Sequence, residues 1–229
     1  MRRRLVLFDI DGTLVTDGGA ARDAFAAALA SVYGYRGDAG RYDFSGRTDP
    51  QIAFMVLRDG GFGDAEIEQR LPDLWTAYLA VLERNTTNGR VQSLPGIETL
   101  LAQLAAIPQI TIALLTGNIE PGARLKLAAP RLNRYFPFGA FGSDSADREQ
   151  LPPIAVERAS KIDGYRFERE DIVIIGDSIY DVRCGVPHQA TTIAVASGRT
   201  PAEALHAENP RHFFESAEDL EGLLAAIRG

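Results

Sequence analysis

Short stretches of consecutive apolar residues mark the expected buried strands of this chain. Residues 5–8, 110–115 and 172–175 are apolar runs without the alternation of polar residues that a half-exposed strand shows. Such runs are typical of parallel strands covered on both faces of a sheet. Weaker candidates lie at residues 138–141, 191–196 and 212–214. We therefore expect a sheet of parallel strands.

Helical periodicity fills most of the intervals between these strands. The predicted helices cover residues 96–107, 121–132, 151–161, 181–186, 201–207 and 217–227. Because strand and helix alternate along the chain, the predicted fold class is α/β, with a doubly wound, Rossmann-like parallel sheet.

The interval after the first strand is different, because it contains helical patterns without a strand. The helices predicted there cover residues 20–33, 49–59 and 64–84, with turns at 34–40 and 85–89. About eighty residues are too many for one crossover helix, which needs roughly a dozen. The sequence therefore predicts an all-helical cap domain over residues 16–91, inserted into a core domain formed by residues 1–15 and 92–229.

Composition and charge limit the partners of the chain. It has 229 residues, of which 45% are hydrophobic and 24% charged, with a net charge of -7 and a pI near 5.1. Such a charge repels nucleic acid and acidic membrane surfaces, so we expect neither as a partner. The basic start is followed by a very short apolar run, and Cys184 is the single cysteine. A cytoplasmic location without an export signal is the expectation.

Polar clusters directly follow the three strongest strands. In open parallel sheets, ligands bind outside the carboxyl ends of the strands, so these clusters are expected to converge. The residues concerned are Asp9, Asp11 and Gly12 after the first strand, Thr116, Gly117 and Asn118 after the second, and Gly176, Asp177 and Asp181 after the third.

Four of these residues are carboxylates that can hold a metal ion. Asp9 and Asp11 are two residues apart, and Asp177 and Asp181 are four apart. Carboxylate oxygens suit a hard cation such as Mg²⁺ better than Zn²⁺, which prefers histidine and cysteine. The three histidines are scattered. The sequence therefore predicts a Mg²⁺ site.

The order of these clusters resembles the haloacid dehalogenase superfamily. Residues 9–14, with the sequence DIDGTL, are similar to its first motif, residues 116–118 to its second, and residues 176–177 with Asp181 to its fourth. The helical insertion resembles the C1-type cap of the phosphoglycolate phosphatase-like branch. The resemblance implies a magnesium-dependent phosphatase acting on a small phosphorylated metabolite.

That resemblance also implies roles for the acidic residues. Asp9 would attack phosphorus and form an aspartyl-phosphate, while Asp11 would protonate the leaving oxygen and then activate water. The metal would be held by Asp9, by the backbone carbonyl of Asp11 and by Asp177, with Asp181 orienting these ligands.

The remaining roles concern the substrate. Thr116, with the backbone N–H groups of Gly117 and Asn118, would hold the phosphate at the start of a helix. Arg47 would lie on a cap loop facing the site, where it could bind a substrate carboxylate, as in phosphoglycolate. The alternative for Arg47 is an ordinary surface charge.

The third motif of the superfamily, normally a lysine, is where this chain departs from the pattern. Residues 147–155 contain no lysine, and the cation in register is Arg148. Arginine is permanently charged and its planar fork matches phosphate oxygens, so Arg148 is expected to fill the role. Lys126, on the helix after the second motif, is the rival candidate.

Other chemistries of the superfamily fit the sequence less well. A dehalogenase lacks the second acid of the first motif, which is present here as Asp11. A phosphonatase needs a cap lysine and a β-phosphoglucomutase a cap histidine and lysine, whereas residues 16–91 contain neither. Two alternatives stay open, a promiscuous sugar or nucleotide phosphatase and a catalytically idle binding or interaction protein. The sequence carries no signal for the oligomeric state.

Overall fold

A six-stranded parallel sheet forms the centre of the chain in the computed structural model, which describes residues 2–37 and 41–229. In chain order the strands are β1 (Arg4–Phe8), β2 (Val15–Thr16), β3 (Gln92–Ser93), β4 (Ile110–Thr116), β5 (Gly139–Phe141), β6 (Ile172–Gly176), β7 (Thr191–Val195) and β8 (His212–Phe214). The sheet has the order β5-β4-β1-β6-β7-β8. The predicted α/β class with a doubly wound parallel sheet is confirmed.

Helices connect and cover these strands. They are α1 (Ala20–Tyr33), α2 (Asp49–Asp59), α3 (Asp64–Asn85), α4 (Ile97–Ala105), α5 (Glu120–Ala128), α6 (Leu151–Asp163), α7 (Ile179–Gly185), α8 (Ala202–Ala207) and α9 (Leu220–Arg228). A π-helical turn spans Thr86–Arg90, and 3₁₀ turns span Leu132–Tyr135, Arg148–Gln150, Arg169–Asp171 and Val186–His188.

Strand β1 is the centre of the apolar core. It pairs with β4 on one side and with β6 on the other. Val6 and Phe8 belong to the apolar cluster that includes α4 and α9, whereas Leu5 and Leu7 belong to the one that includes α6. All four side chains are fully buried, and burial of each contributes about 1.5–3 kcal/mol. This burial explains the uninterrupted apolar run in the sequence.

Several element boundaries differ from the predicted ones. The helix predicted over residues 121–132 ends at Ala128, because Pro130 lacks the N–H group that would continue it. The helix predicted from residue 217 begins at Leu220, where the Asp219 side chain accepts a hydrogen bond from the Gly222 N–H group. The turn predicted over residues 34–40 lies partly outside the described residues, at 38–40.

An antiparallel pair of two-residue strands joins the two ends of the helical insertion. Val15 pairs with Ser93 and Thr16 pairs with Gln92. No pattern in the sequence predicts this pair of strands, because two residues are too few to show a period. The chain therefore leaves the sheet region and returns to it at the same place.

The helices α1, α2 and α3 pack around an apolar cluster of their own. Phe25, Leu57, Leu74 and Tyr78 belong to it, together with Ile119, which precedes α5. This cluster is separate from those that cover the sheet. The division into a core of 1–15 and 92–229 and a cap of 16–91 stays a prediction, which the separate clusters support.

The start of α2 is held by an N-terminal capping box. The Thr48 hydroxyl accepts a hydrogen bond from the Gln51 N–H group, and the Gln51 side chain accepts one from the Thr48 N–H group. The same hydroxyl donates to the Ala146 carbonyl at 2.8 Å, and Thr48 is fully buried. Thr48 thereby links the helical insertion to the loop after β5.

Replacing Thr48 tests this link. We expect Thr48→Ala to lower the free energy of unfolding by about 1–2 kcal/mol, because the cap and the bond to Ala146 are both lost. Thr48→Ser keeps the hydroxyl and serves as the matched control. Urea unfolding measures both variants, and equal midpoints for the alanine variant and the native protein would contradict the expected contribution.

Candidate active site

The polar clusters that follow β1, β4 and β6 meet at the carboxyl edge of the sheet. Because β1 lies between β4 and β6, Asp9 stands next to the ends of both neighbours, and its N–H group donates to the Ile175 carbonyl at 3.0 Å. Thr116 is the last residue of β4, and Asp177 directly follows β6. The expected convergence is therefore observed.

A tight turn after β1 brings Asp9 and Asp11 to this edge. Gly12 has a φ of +83°, which favours glycine, and its N–H group donates to the Val15 carbonyl at 2.8 Å. A Cβ atom at Gly12 would lie 2.3 Å from an Asp177 carboxylate oxygen. The turn and the close approach of Asp177 both require a residue without a side chain.

Three buried carboxylates form a compact acidic cluster. Asp9, Asp177 and Asp181 have carboxylate oxygens within 4.8 Å of one another, and each residue is at most 5% exposed. Burial and the neighbouring Asp181 raise the pKa of Asp9 to about 7, although Arg148 opposes the shift. Burial and Asp9 raise the pKa of Asp177 well above its usual range. These oxygens fit a divalent cation, whose charge would relieve their repulsion.

Arg148 is the cation closest to this acidic cluster. It begins the 3₁₀ turn before α6, and its guanidinium group pairs with Asp181 and lies 3.3 Å from an Asp9 oxygen. Burial by itself lowers the pKa of Arg148, but Asp181 and Asp9 raise it above the usual value. The predicted third-motif arginine is therefore brought into the site.

Asp181 is oriented by the first turn of α7. One carboxylate oxygen accepts hydrogen bonds from the Ser178 N–H group at 2.9 Å and from the Ser178 hydroxyl at 2.6 Å. The other oxygen pairs with Arg148. Because both oxygens are engaged, Asp181 has a fixed direction at the edge of the cluster.

The loop after β4 connects Asp11 with a second cation. The Asn118 side-chain amide donates to Asp11 and to the Thr116 hydroxyl, both at 2.8 Å. Lys126 of α5 contacts Asp11 and the Asn118 side-chain oxygen, and it is 3% exposed. Lys126 and Arg148, which the sequence treats as rivals, therefore both lie in the site but contact different acids.

The start of α2 closes over the Thr116–Asn118 loop. The Asp49 N–H group donates to the Gly117 carbonyl at 2.7 Å, and the Asp49 carboxylate accepts from the Ile119 N–H group at 2.8 Å. A Cβ atom at Gly117 would lie 2.1 Å from the Arg47 carbonyl oxygen. The helical insertion and the second-motif loop are thus in direct backbone contact.

A cavity of about 330 Å³ opens between the acidic edge and the helical insertion. Arg47 lines it, with its Nε donating to the Asp43 carbonyl at 3.2 Å and its guanidinium 5.4 Å from the Tyr180 ring. The cavity is also lined by charged residues that were not predicted from the sequence, which are Asp17, Arg22, Asp49 and Arg199. Arg199 follows β7 within the polar segment 197–199, so the strand-end rule applied to β7 would have found it.

The sequence of the chain matches models of a known family of hydrolases. A model of haloacid dehalogenase-like hydrolases matches residues 3–186, and a second model of related hydrolases matches residues 152–221. The chain belongs to the haloacid dehalogenase-like hydrolase family.

The chain is similar in sequence to two phosphoglycolate phosphatases. That of Photorhabdus laumondii is 24% identical over 95% of this chain and 90% of its own length. Phosphoglycolate phosphatase 1 of Pseudomonas aeruginosa is 29% identical over 95% of this chain and 78% of its own length. The predicted membership in the phosphoglycolate phosphatase-like branch and the prediction of a phosphatase are confirmed.

A solved structure shows the same fold. A predicted phosphatase from Clostridium acetobutylicum superposes with a TM-score of 0.76 at 19% identity, covering 98% of this chain and 99% of the other. At that identity the match supports the fold alone. Among the described residues, none of the helices combines the length and the apolar character needed to cross a membrane.

The half-buried Asp49 offers a test of the electrostatics. Burial raises its pKa to about 6 from 3.8, against the opposing effect of Lys126. The native state then holds this proton to a higher pH than the unfolded chain does, so the contribution of Asp49 to stability falls as the pH rises from about 4 to 6.

We therefore expect Asp49→Asn, which keeps an acceptor for the Ile119 N–H group, to change the unfolding free energy little near pH 4. At pH 7 we expect the variant to be more stable than the native protein by up to about 3 kcal/mol. Denaturant unfolding at both values measures the difference, with the exposed Asp73→Asn as control. A difference that does not change with pH would contradict the raised pKa.

Proposed function

We propose that this phosphatase hydrolyses a small phosphomonoester with the help of Mg²⁺ and through an aspartyl-phosphate on Asp9. The observation that carries the proposal is the cluster of Asp9, Asp177 and Asp181 with Arg148 beside it. A buried nucleophilic carboxylate needs positive charge around it before an anionic phosphate can approach.

In the first step, an Asp9 carboxylate oxygen forms a bond to phosphorus while the bond from phosphorus to the ester oxygen breaks. The electron pair of that bond stays on the leaving oxygen, which takes a proton from Asp11. In the second step, Asp11 accepts a proton from water as the water oxygen attacks phosphorus. The Asp9–phosphorus bond then breaks, and inorganic phosphate leaves with the carboxylate restored.

The other residues at this edge bind and orient. Asp9, Asp177 and the backbone carbonyl of Asp11 would hold Mg²⁺, and Asp181 would orient that set. When bound, the ion supplies positive charge that neutralises the phosphate oxygens and keeps Asp9 ionised.

Thr116, with the N–H groups of Gly117 and Asn118, would bind the phosphate oxygens. These residues precede α5, whose N-terminus favours an anion. In this assignment Arg148 takes the third-motif role, screening Asp9 from the phosphate.

Phosphoglycolate is the substrate that we propose first. Two relatives carry that name, and Arg47 lines the same cavity as Asp9 and Asp177, where a guanidinium group could bind a carboxylate. The second candidate is a broader set of sugar or nucleotide phosphates. The cavity of about 330 Å³ is compatible with it, since pockets for small molecules typically measure about 300–1,000 Å³.

The first experiment measures phosphate release from p-nitrophenyl phosphate, phosphoglycolate and a panel of small phosphoesters. We expect turnover with Mg²⁺, loss of turnover with EDTA, and recovery when Mg²⁺ is restored. Asp9→Asn should abolish turnover, because the nucleophile is removed while the shape of the side chain is kept. Full activity in EDTA, or in the variant, would contradict the mechanism; a folded native protein without turnover on any ester would favour the idle binding domain.

A second experiment assigns the third-motif cation. We expect Arg148→Ala to lower kcat by about 100-fold or more, because positive charge beside the attacking oxygen is lost, and Arg148→Lys to recover part of it. The exposed Arg183, which pairs with Glu208, provides the control variant Arg183→Ala. Normal turnover in Arg148→Ala together with none in Lys126→Ala would give the role to Lys126.

A further inference from the structure

Lys126 forms a second, separate pair of cation and acid in the site. Its ammonium group donates to both carboxylate oxygens of Asp11, at 2.8 and 2.6 Å, and to the Asn118 side-chain oxygen at 2.6 Å. The Asp11 oxygen that is 2.6 Å from Lys126 also accepts from the Asn118 amide at 2.8 Å. Three hydrogen bonds therefore fix the direction of the Asp11 carboxylate.

These contacts differ from those of Arg148. The guanidinium group of Arg148 pairs with Asp9 and Asp181, whereas the ammonium group of Lys126 pairs with Asp11. A guanidinium fork matches a group with several acceptor oxygens, while a compact ammonium group holds one carboxylate at close range. The site thus provides one cation for the nucleophile and another for the second acid of the first motif.

The fold keeps Lys126 both charged and fixed in place. It lies on α5, which begins directly after the second-motif loop, and it is almost fully buried. Burial acts to lower its pKa, but the carboxylates of Asp11, Asp17 and Asp49 raise it above the usual value. Asp17 and Asp49 line the same cavity from the side of the insertion. A buried ammonium surrounded in this way is held in one position, unlike an exposed lysine.

We propose that Lys126 is a positioning residue for Asp11, which it holds, together with Asn118, where the carboxyl group can exchange a proton with the leaving oxygen. The inference rests on the proposed function. Lys126 acts through Asp11 in this assignment and does not itself bind the phosphate. The bonds that form and break are those of the two steps described above.

The dependence on the leaving group separates this role from phosphate binding. An alkoxide needs a proton to leave, whereas p-nitrophenolate leaves readily without one. We expect Lys126→Met and Asp11→Asn to lower kcat/KM, which reports formation of the aspartyl-phosphate, by about 100-fold or more for an alkyl phosphate and by a much smaller factor for p-nitrophenyl phosphate. Because Asp11 also activates water in the second step, turnover of p-nitrophenyl phosphate by these variants should begin with a burst of p-nitrophenolate. Lys161→Met, at a lysine side chain that is 73% exposed, is the matched control and should retain native kinetics.

A double variant keeps the test independent of folding defects. Lys126→Met alone leaves Asp11 without its cation, whereas Lys126→Met with Asp11→Asn removes both charges of the pair. If Lys126 acts through Asp11, adding Lys126→Met to Asp11→Asn costs little further activity. A full additional loss would overturn the inference, because the two residues would then act independently.

Other outcomes are equally decisive. An equal loss of kcat/KM on both esters would make Lys126 a phosphate-binding residue, and unchanged kinetics would leave it without a role in turnover; either result overturns the inference. The native protein and Asp9→Asn, measured alongside, separate these outcomes from failure of the proposed function, since that failure would appear as a native protein without turnover or as turnover without the nucleophile.

Discussion

Negative charge buried at one edge of the sheet is the constraint on which the site depends. Asp9, Asp177 and Asp181 are gathered within a few ångströms by the ends of β1 and β6 and by the first turn of α7. Uncompensated, buried carboxylates cost several kcal/mol each. Arg148 offsets part of that charge from the loop before α6. The negative charge that Arg148 does not offset favours the binding of a metal ion at this edge. The electrostatic repulsion that destabilises the fold therefore contributes to the binding of the cation.

The helical insertion takes part in building the edge as well as covering it. Asp49 accepts a hydrogen bond from the Ile119 N–H group just before α5, and the Gly117 carbonyl accepts one from Asp49 in return. The backbone and the side chain of Asp49 therefore both hold the loop that would bind phosphate. A displacement of α2 would change the conformation of the loop at residues 116–118 directly, which couples the position of the insertion to the geometry of the site.

The sequence predicted the sheet and the acidic residues because both have a local signal. Strands β1, β4 and β6 are continuous apolar runs, and Asp9 and Asp177 directly follow two of them. The sequence carries no such local signal for which cation pairs with which acid, because Lys126 and Asp11 are 115 positions apart. The sequence thus made Lys126 and Arg148 competitors for one role, whereas each has an acid of its own in the folded chain.

The π-helical turn and the paired strands β2 and β3 complete the path of the insertion. In an antiparallel pair, opposite Cα atoms lie about 4.5–5.5 Å apart, so the insertion leaves and re-enters the sheet region at neighbouring points. A short hairpin could join these two points, and in this chain some seventy residues lie between them. A different insertion can consequently be joined at these two points without redirecting the strands of the sheet, provided that it reproduces the contacts of Asp49 with the Gly117 and Ile119 backbone.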